Sequence, residues 1–348
     1  MRLHLVNALV RQGYRVDLVL GHDGAKRPRG LDRAVPVFDL GTSNAITGVP
    51  RLAVYLRRRR PAAMLGHRVR VTALMHRARR LSGVPVRLYS TINTHLTSRF
   101  EHMPARKAAS QQALLRHYYP RNEGVLAISQ GVAADVIDVL GLDHDTVPVL
   151  PNPVLTPELP ALVREPPPHP WLTDRGVPVI MGMGRLQPQK DFHTLLRAFA
   201  RLSGQRDARL IILGEGDQRE SLLHLAAELG VADNVDLPGF MTNPYPWLAH
   251  ADAFALSSTW EGLGNALIEA MAVGTPVVAT DCRSGPAETL DHGRHGPLVP
   301  TGDCVALADG IERVLREPPD ADTLSRSVAR YDADISAVRY ALAMELTE

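Results

Sequence analysis

Two stretches of this chain hold residues whose types and spacing can do chemistry. The first is Gly182-Met183-Gly184-Arg185-Leu186-Gln187-Pro188-Gln189-Lys190-Asp191, between an apolar run and a helical pattern. Gly184 lets backbone approach a ligand closely. Arg185 and Lys190 put two cations at the N-terminal end of that helix, where the macrodipole disfavours them unless an anion is bound between them. A diphosphate would satisfy both charges and the amides. The plainer alternative is a solvated basic turn with Asp191 capping the helix.

The second stretch is Ser257-Ser258-Thr259-Trp260-Glu261-Gly262-Leu263-Gly264-Asn265-Ala266-Leu267-Ile268-Glu269. Glu261 falls in a glycine-containing loop at a helix mouth. Glu269 falls in the second turn, several ångströms further on at about 1.5 Å per residue. Carboxylates so placed can accept hydrogen bonds from two polyols at opposite ends of one ligand. A sugar and a ribose would suit them, with phosphates between, at the helix amides. Glu269 has apolar neighbours in Leu267, Ile268, Ala270 and Met271, and a carboxylate there is costly without a hydroxyl or amide partner. The alternative is a glutamate that only caps or pairs structurally.

Smaller signals end other strands. They are Gly214-Glu215-Gly216, then Leu237-Pro238-Gly239-Phe240, whose backbone could meet a base edge, and Ser284-Gly285-Pro286-Ala287-Glu288. In the N-terminal half, Tyr89-Ser90-Thr91-Ile92-Asn93-Thr94-His95 ends a strand, which makes His95 either a catalytic candidate or an ordinary surface histidine.

The elements that position these residues alternate helix and strand, the pattern of an α/β protein with parallel sheets. Apolar spacing predicts a helix over 3–12, a strand over 15–20 and helices over 50–58, 69–82, 105–118 and 130–140. Strands are predicted over 62–65, 86–89, 124–127 and 147–150. Nine prolines in the 23 residues Pro148–Pro170 read as a stiff linker. Beyond it the alternation restarts at Val177 and runs to a last helix over 335–346. Two such arrays predict two doubly wound domains facing a cleft, with ligands outside the C-terminal strand ends. The boundaries are 1–155 with 332–348, and 156–331.

Hydrophobic residues make up 45% and charged residues 22%, the balance of a soluble globular protein. A net charge of +2 calls for no nucleic-acid partner. Between Arg57 and Arg80, however, there are nine arginines, two histidines (His67, His76) and no acid. That stretch is either a solvated face or a basic surface for anionic lipid or a lipid-phosphate acceptor. Cys282 and Cys304 make neither a disulfide framework nor a zinc site, so both are expected to be inert. No apolar run approaches the roughly 18 residues of a membrane span. A cytoplasmic protein, peripheral on the inner face of the membrane, is expected.

Taken together, these residues resemble the retaining GT-B glycosyltransferases of family 4, or glycosyl transferases group 1. The resemblance spans nearly the whole C-terminal half. It rests on Gly184-Arg185-Leu186 with Lys190, the turns at 214–216 and 237–240, the seven-residue gap between Glu261 and Glu269, and the run Glu269–Asp281. Upstream, Ala127–Val132 and Leu150–Pro153 resemble the end of the family's N-domain.

The resemblance implies roles. Arg185 and Lys190 would neutralise the donor diphosphate in place of a metal. Glu261 would hold the transferred sugar, and the amides of Gly262, Leu263, Gly264 and Asn265 would touch sugar and phosphate. Glu269 would hold the ribose, Gly239 and Phe240 would meet the base, and His95 would lie near the anomeric carbon. The donor would be a UDP-sugar, the acceptor a glycan or glycolipid, with no cofactor. The last helix would return to the N-domain. One departure stands out: family members begin with a strand and glycine-rich loop ahead of the helix that begins here, so the N-domain is expected to lack its first strand. Two other readings remain: a non-catalytic glycosyltransferase-like protein or truncated fragment lacking the N-terminal glycine loop, and another GT-B enzyme such as a nucleotide-sugar epimerase.

Overall fold

The computed structural model describes residues 2–21, 27–42, 44–167, 169–174 and 176–346. The chain divides into two units, Met1–Pro153 with Asp332–Glu348, and Val154–Tyr331.

The first unit opens on helix Arg2–Arg11 and holds β1 (Leu18–Leu20), β2 (Val37–Asp39), β3 (Ala63–Gly66), β4 (Arg87–Ile92) and β5 (Gly124–Ala127). Its strands form two separate parallel ladders, β1-β2 and β3-β4-β5. β2 is not anticipated by the sequence, because Val-Phe-Asp is too short to show alternation. Its place is set by tertiary bonds, Leu18 N to Pro36 O (2.9 Å) and Leu40 N to Leu20 O (2.8 Å). The strand expected over 147–150 shrinks to a single bridge between Ala127 and Val149, since Pro148 has no amide to give. The last helix, Ala333–Ala343, belongs to this unit. Its Ala333, Ala337, Tyr340 and Ala341 bury against Leu5, Ala8, Leu9, Tyr89 and Leu126.

The proline-rich stretch is structured rather than a bare linker. It holds short helices Leu159–Val163 and Pro170–Thr173, and Leu172 is fully buried. Proline is tolerated there because Pro160 and Pro170 occupy the first turns, where amides have no helical acceptor. The amides of Val154 and Leu155 bond to Tyr331 O at 3.0 and 3.1 Å, which ties the start of the second unit to its end.

The second unit holds β6 (Val179–Met183), β7 (Arg209–Leu213), β8 (Val235–Gly239), β9 (Ala253–Leu256), β10 (Val277–Thr280) and β11 (Leu298–Val299). All pair in parallel, in the order β11-β10-β9-β6-β7-β8. These strands are nearly continuous apolar runs, as required of a sheet covered on both faces. Helix Phe192–Ser203 covers one face with Phe192, Leu195, Leu196, Phe199 and Leu202, a helical stripe buried against Ile180, Leu210 and Ile212. The order reverses between β6 and β9. Such a switch point opens a crevice at the carboxyl ends of the strands.

At that edge three glycines lock the turns together backbone to backbone. Gly184 N bonds to Leu213 O and Gly214 N to Gly239 O, both at 2.9 Å. A Cβ on Gly214 would lie 1.8 Å from Gly184 O, and one on Gly216 2.3 Å from Leu186 O. Gly214→Ala should therefore lose on the order of 3 kcal/mol, which lowers Tm by roughly 6–12 °C in a domain of this size. Gly204→Ala, whose Cβ would meet Arg201 O at an ordinary 3.5 Å, is the control and should melt like the wild type. Equal melting of Gly214→Ala would rule out this locking.

Candidate functional site

The loops after β6 and β9 flank the switch point, and one ion pair joins them. Lys190 Nζ donates to Glu261 Oε1. The same oxygen accepts from Ser258 Oγ at 2.7 Å. Oε2 takes no hydrogen bond among the described residues. The side chains of Lys190 and Glu261 are 16% and 9% exposed, so the pair is largely withdrawn from water.

Backbone and hydroxyl bonds brace the pair. Ser257 Oγ donates to Lys190 O (2.7 Å) and Thr259 N to Gln189 O (2.9 Å), while Gln189 Nε2 donates to Trp260 O (2.9 Å). Behind the loop, Thr280 Oγ1 donates to Ser258 O (2.6 Å) and Ser284 Oγ to Glu261 O (2.7 Å). Gly285, with φ of 93°, lets the turn after β10 lie directly on Leu263, since a Cβ there would meet Leu263 backbone at 2.7 Å. Sequence reasoning missed Gln189, Ser257, Ser258, Thr280 and Ser284 as site residues. Ser257 and Ser258 were signalled only by three consecutive hydroxyl residues, Ser257 to Thr259, at the exit of a fully apolar strand, and Gln189 and Ser284 only by lying in stretches already singled out.

The remaining sequence candidates of this unit lie on the segments that follow β6, β8 and β9. Asp191 caps helix Phe192–Ser203, accepting from Thr194 N (3.3 Å) and Thr194 Oγ1 (2.7 Å). Arg185 is exposed and makes no hydrogen bond or ion pair among the described residues. Thus one of the two cations is already answered by a carboxylate, and the other is not. Gly264, in the left-handed region at φ of 82°, is the N-cap of helix Asn265–Ala272, which has no side-chain cap and no acid in its first turn. Gly262, Leu263 and Asn265 belong to the same mouth. Phe240 is 72% exposed just beyond β8, and Gly239 lies under the Glu215 carboxylate. Arg219 Nη2 holds that turn by donating to Leu237 O at 2.6 Å.

Glu269 neither caps nor pairs: it makes no hydrogen bond or ion pair among the described residues. Leu267, Ile268, Ala270 and Met271 around it are all buried. Burial pushes its carboxyl up to about 7. The buried phenol of Tyr245 is raised too, by burial first and then by the Glu269 charge, so the two groups are neighbours. Cys282, next to the pair, is pushed up to about 12 by burial and then by Glu261, which keeps it a thiol. Cys304 is half-buried.

His95 lies in the other unit. It is the N-cap of helix Leu96–Glu101, its Nδ1 accepting from Ser98 N (3.3 Å) and lying 3.1 Å from Ser98 Oγ. Asp135, buried on helix Gln130–Leu140, clamps the same helix start through the Leu96 and Thr97 amides and lies 3.6 Å from His95 Nδ1. Nothing in the sequence linked residues 95 and 135. Among the described residues, no group of three or more His, Cys, Asp or Glu side chains is placed to hold a metal ion.

Residues 168–330 match the family described as Glycosyl transferases group 1, and residues 3–156 match Glycosyltransferase Family 4. The chain is 30% identical over 278 residues to 2-deoxystreptamine glucosyltransferase of Streptomyces kanamyceticus, covering 79% of this chain and 69% of that protein. It is 41% identical over 145 residues to the lipopolysaccharide core biosynthesis glycosyltransferase LpsE of Rhizobium meliloti, covering 42% of each. Among four curated relatives that match strongly, LpsE included, the chain spans only 28% to 58% of their lengths. The crystal structure of Anabaena HepE in complex with UDP-glucose superposes with a TM-score of 0.79 at 21% identity, covering 99% of this chain and 96% of that one.

The raised carboxyl gives a pH test. A group lifted from 4.5 to about 7 on folding stabilises the protein below 4.5 and loses that contribution as pH climbs through 7. Glu269→Gln, neutral at every pH, should melt above the wild type at pH 8, with the difference shrinking steadily towards pH 5. A difference that does not change with pH would remove the assignment of a raised carboxyl.

Proposed function

The chain belongs to the family 4, group 1 glycosyltransferases and has their GT-B fold, and on that premise we propose that it transfers a sugar from a nucleoside diphosphate to a glycan or glycolipid. The observation that carries this reading is the Lys190–Glu261 pair at the switch point, with Arg185 and Glu269, neither of which makes a hydrogen bond or ion pair among the described residues, on the same two segments of chain. The donor diphosphate lies against Arg185 and the remaining protons of Lys190. A sugar hydroxyl donates to Glu261 Oε2, and the ribose hydroxyls donate to Glu269. The turn at Gly239 and Phe240 meets the base. UDP is the favoured nucleotide, supported by the UDP-glucose that HepE binds. A glycolipid acceptor is supported by the lipopolysaccharide role that LpsE's name carries.

The reaction breaks the bond from the anomeric carbon to the diphosphate oxygen and forms one to the acceptor oxygen on the same face, with retention. The acceptor's proton passes to the departing phosphate oxygen. Cations aimed at that oxygen supply the main stabilisation, without a metal.

The experiment is donor turnover with purified protein. Arg185→Ala should lose about 100-fold in kcat at an unchanged Tm, because Arg185 is exposed and supports nothing. Lys190→Ala should lose activity and also stability, since it strands the Glu261 charge at a cost of about 3–5 kcal/mol. Wild-type activity should persist in a chelator. Full activity in Arg185→Ala would sink the diphosphate assignment, and a strict metal requirement would sink the metal-free route.

We also propose peripheral contact with an anionic, cytoplasmic membrane face. Among the described residues no helix is long and apolar enough to cross a membrane. Of the nine arginines, Arg57, Arg59, Arg77 and Arg79 are engaged with Leu81 O, Asp17, Tyr118 and Glu123. Arg58, Arg60, Arg70 and Arg80 are exposed, as are the apolar Val54, Val71 and Leu81, on helices Ala45–Arg59 and Val69–Ser82 or at the turn beside them. Each such charge contributes about 1 kcal/mol to binding anionic lipid. Vesicles of phosphatidylglycerol should bind the protein in a salt-sensitive way, and neutralising these four arginines should abolish it. Equal binding to neutral phosphatidylcholine would end this proposal.

A further inference from the structure

The ladder between β7 and β8 is irregular at its carboxyl end. Ile211 pairs with Asp236 and Leu213 with Gly239, so two steps along β7 face three along β8. The extra residue makes a bulge on an edge strand of the sheet, at Leu237-Pro238, and Pro238 has no amide to give to a ladder. The direction of the chain past a bulge depends on what holds the bulge. Phe240 comes next. At 72% exposure it is the only aromatic among the exposed large hydrophobic side chains of the described residues.

One side chain holds this bulge. Arg219 opens helix Arg219–Glu228, a first-turn position at which the helix dipole disfavours a cation. Its guanidinium is answered across the turns instead. Nη2 donates to Leu237 O at 2.6 Å. Nη1 is buried, makes no hydrogen bond and lies 3.7 Å from Glu215 Oε1. That carboxylate oxygen in turn lies over Gly239, where a Cβ would meet it at 2.6 Å. A planar guanidinium can reach a carbonyl and a carboxylate at once, which a single-point donor cannot. The main chain adds one bond between the same two turns, Gly214 N to Gly239 O at 2.9 Å.

We infer that Arg219 is a positioning residue for the donor: through Leu237 O it fixes the bulged turn, and so holds the Phe240 ring as the stacking platform for the base. Arg219 acts through the turn and not on the ligand. The inference rests on the transfer reading for what the ring receives, but not for the fixing of the turn. An exposed ring at a strand end has an apolar face to cover, and the base is the part of a nucleoside diphosphate with a matching π face. A turn that had to order itself on binding would offset part of that contact, so a ring held beforehand binds more tightly.

The test compares wild type with Arg219→Met in two measurements on the whole chain. Amide exchange reads the turn. The Gly214 amide, held by Gly239 O, should exchange about tenfold faster in the variant, the loss of one charge-assisted hydrogen bond. The Gly184 amide, held by Leu213 O, should keep its wild-type rate. Calorimetry reads the base. UDP should bind Arg219→Met about tenfold more weakly, within the range for one stacked base. Inorganic pyrophosphate, which has no base, should bind it as it binds wild type, whereas a misfolded variant would lose both ligands. Arg219→Lys should recover part of both effects. Phe240→Ala should weaken UDP to a similar extent, and adding Arg219→Met to it should weaken UDP no further, since the ring to be positioned is gone. Unchanged Gly214 exchange, unchanged UDP affinity, equal loss of UDP and pyrophosphate, or additive losses in the double variant would overturn the inference, while UDP binding by wild type keeps the donor reading. Wild-type protein that binds no UDP would overturn the donor reading and the base role with it, and faster Gly214 exchange in Arg219→Met would still assign the turn to Arg219.

Discussion

The Lys190–Glu261 pair is the constraint on which the site depends. It spans the point where strand order reverses, so it joins two loops that the sheet itself would let diverge. A largely dehydrated ion pair adds little net stability, because the desolvation of two ions offsets their attraction. Its worth is in geometry. The loops it joins are also bonded through Ser257, Thr259 and Gln189, and the turn after β10 supports the glutamate from behind. Backbone contacts at Gly184, Gly214 and Gly216 leave the neighbouring turns no room to shift. The carboxylate is thus fixed before any ligand arrives.

Fixing the pair does not use it up. An ionised carboxylate can accept about four hydrogen bonds and an ammonium can donate three. Oε1 of Glu261 serves Lys190 and Ser258, while Oε2 remains available. The two roles that the resemblance assigned separately, cation to phosphate and carboxylate to sugar, are compatible with one intact pair. Arg185 and Glu269 stand differently. Neither makes a hydrogen bond or ion pair among the described residues. A carboxyl raised to about 7 among apolar neighbours is a standing cost to the fold. Hydroxyl donors from a ligand would relieve it, which is the usual relation between a binding site and the stability it gives up.

What was legible in the sequence follows from how strongly local pattern dictates structure. The second unit could be read almost element by element, because buried parallel strands are unbroken apolar runs and Asp191 is a standard cap. Lys190, Glu261 and Glu269 were visible because charge after an apolar strand, or inside an apolar helix, needs an explanation. The bond between Lys190 and Glu261 was not visible, since 71 residues separate them and only the strand order brings them together. β2 was hidden because three residues carry no periodicity. The proline-rich stretch misled because proline marks first turns of helices as well as linkers, and only its packing against the rest of the second unit tells them apart.

His95 shows the same limit and a gain beyond it. Its strand-end position made it a candidate, but its chemistry is set by helix Leu96–Glu101, which the sequence did not announce. While the Ser98 amide donates to Nδ1, the neutral ring must carry its proton on Nε2. Buried Asp135 holds the start of that helix, and with it the ring, from 40 positions away. In the tautomer that this bond selects, Nε2 offers a hydrogen-bond donor and not a base. That suits a transfer in which the acceptor's proton leaves on the donor's own phosphate oxygen, because such a route asks the protein for no base at all. It asks for cations at the leaving group and for fixed partners around the sugar, the roles proposed above for Arg185, Lys190 and Glu261.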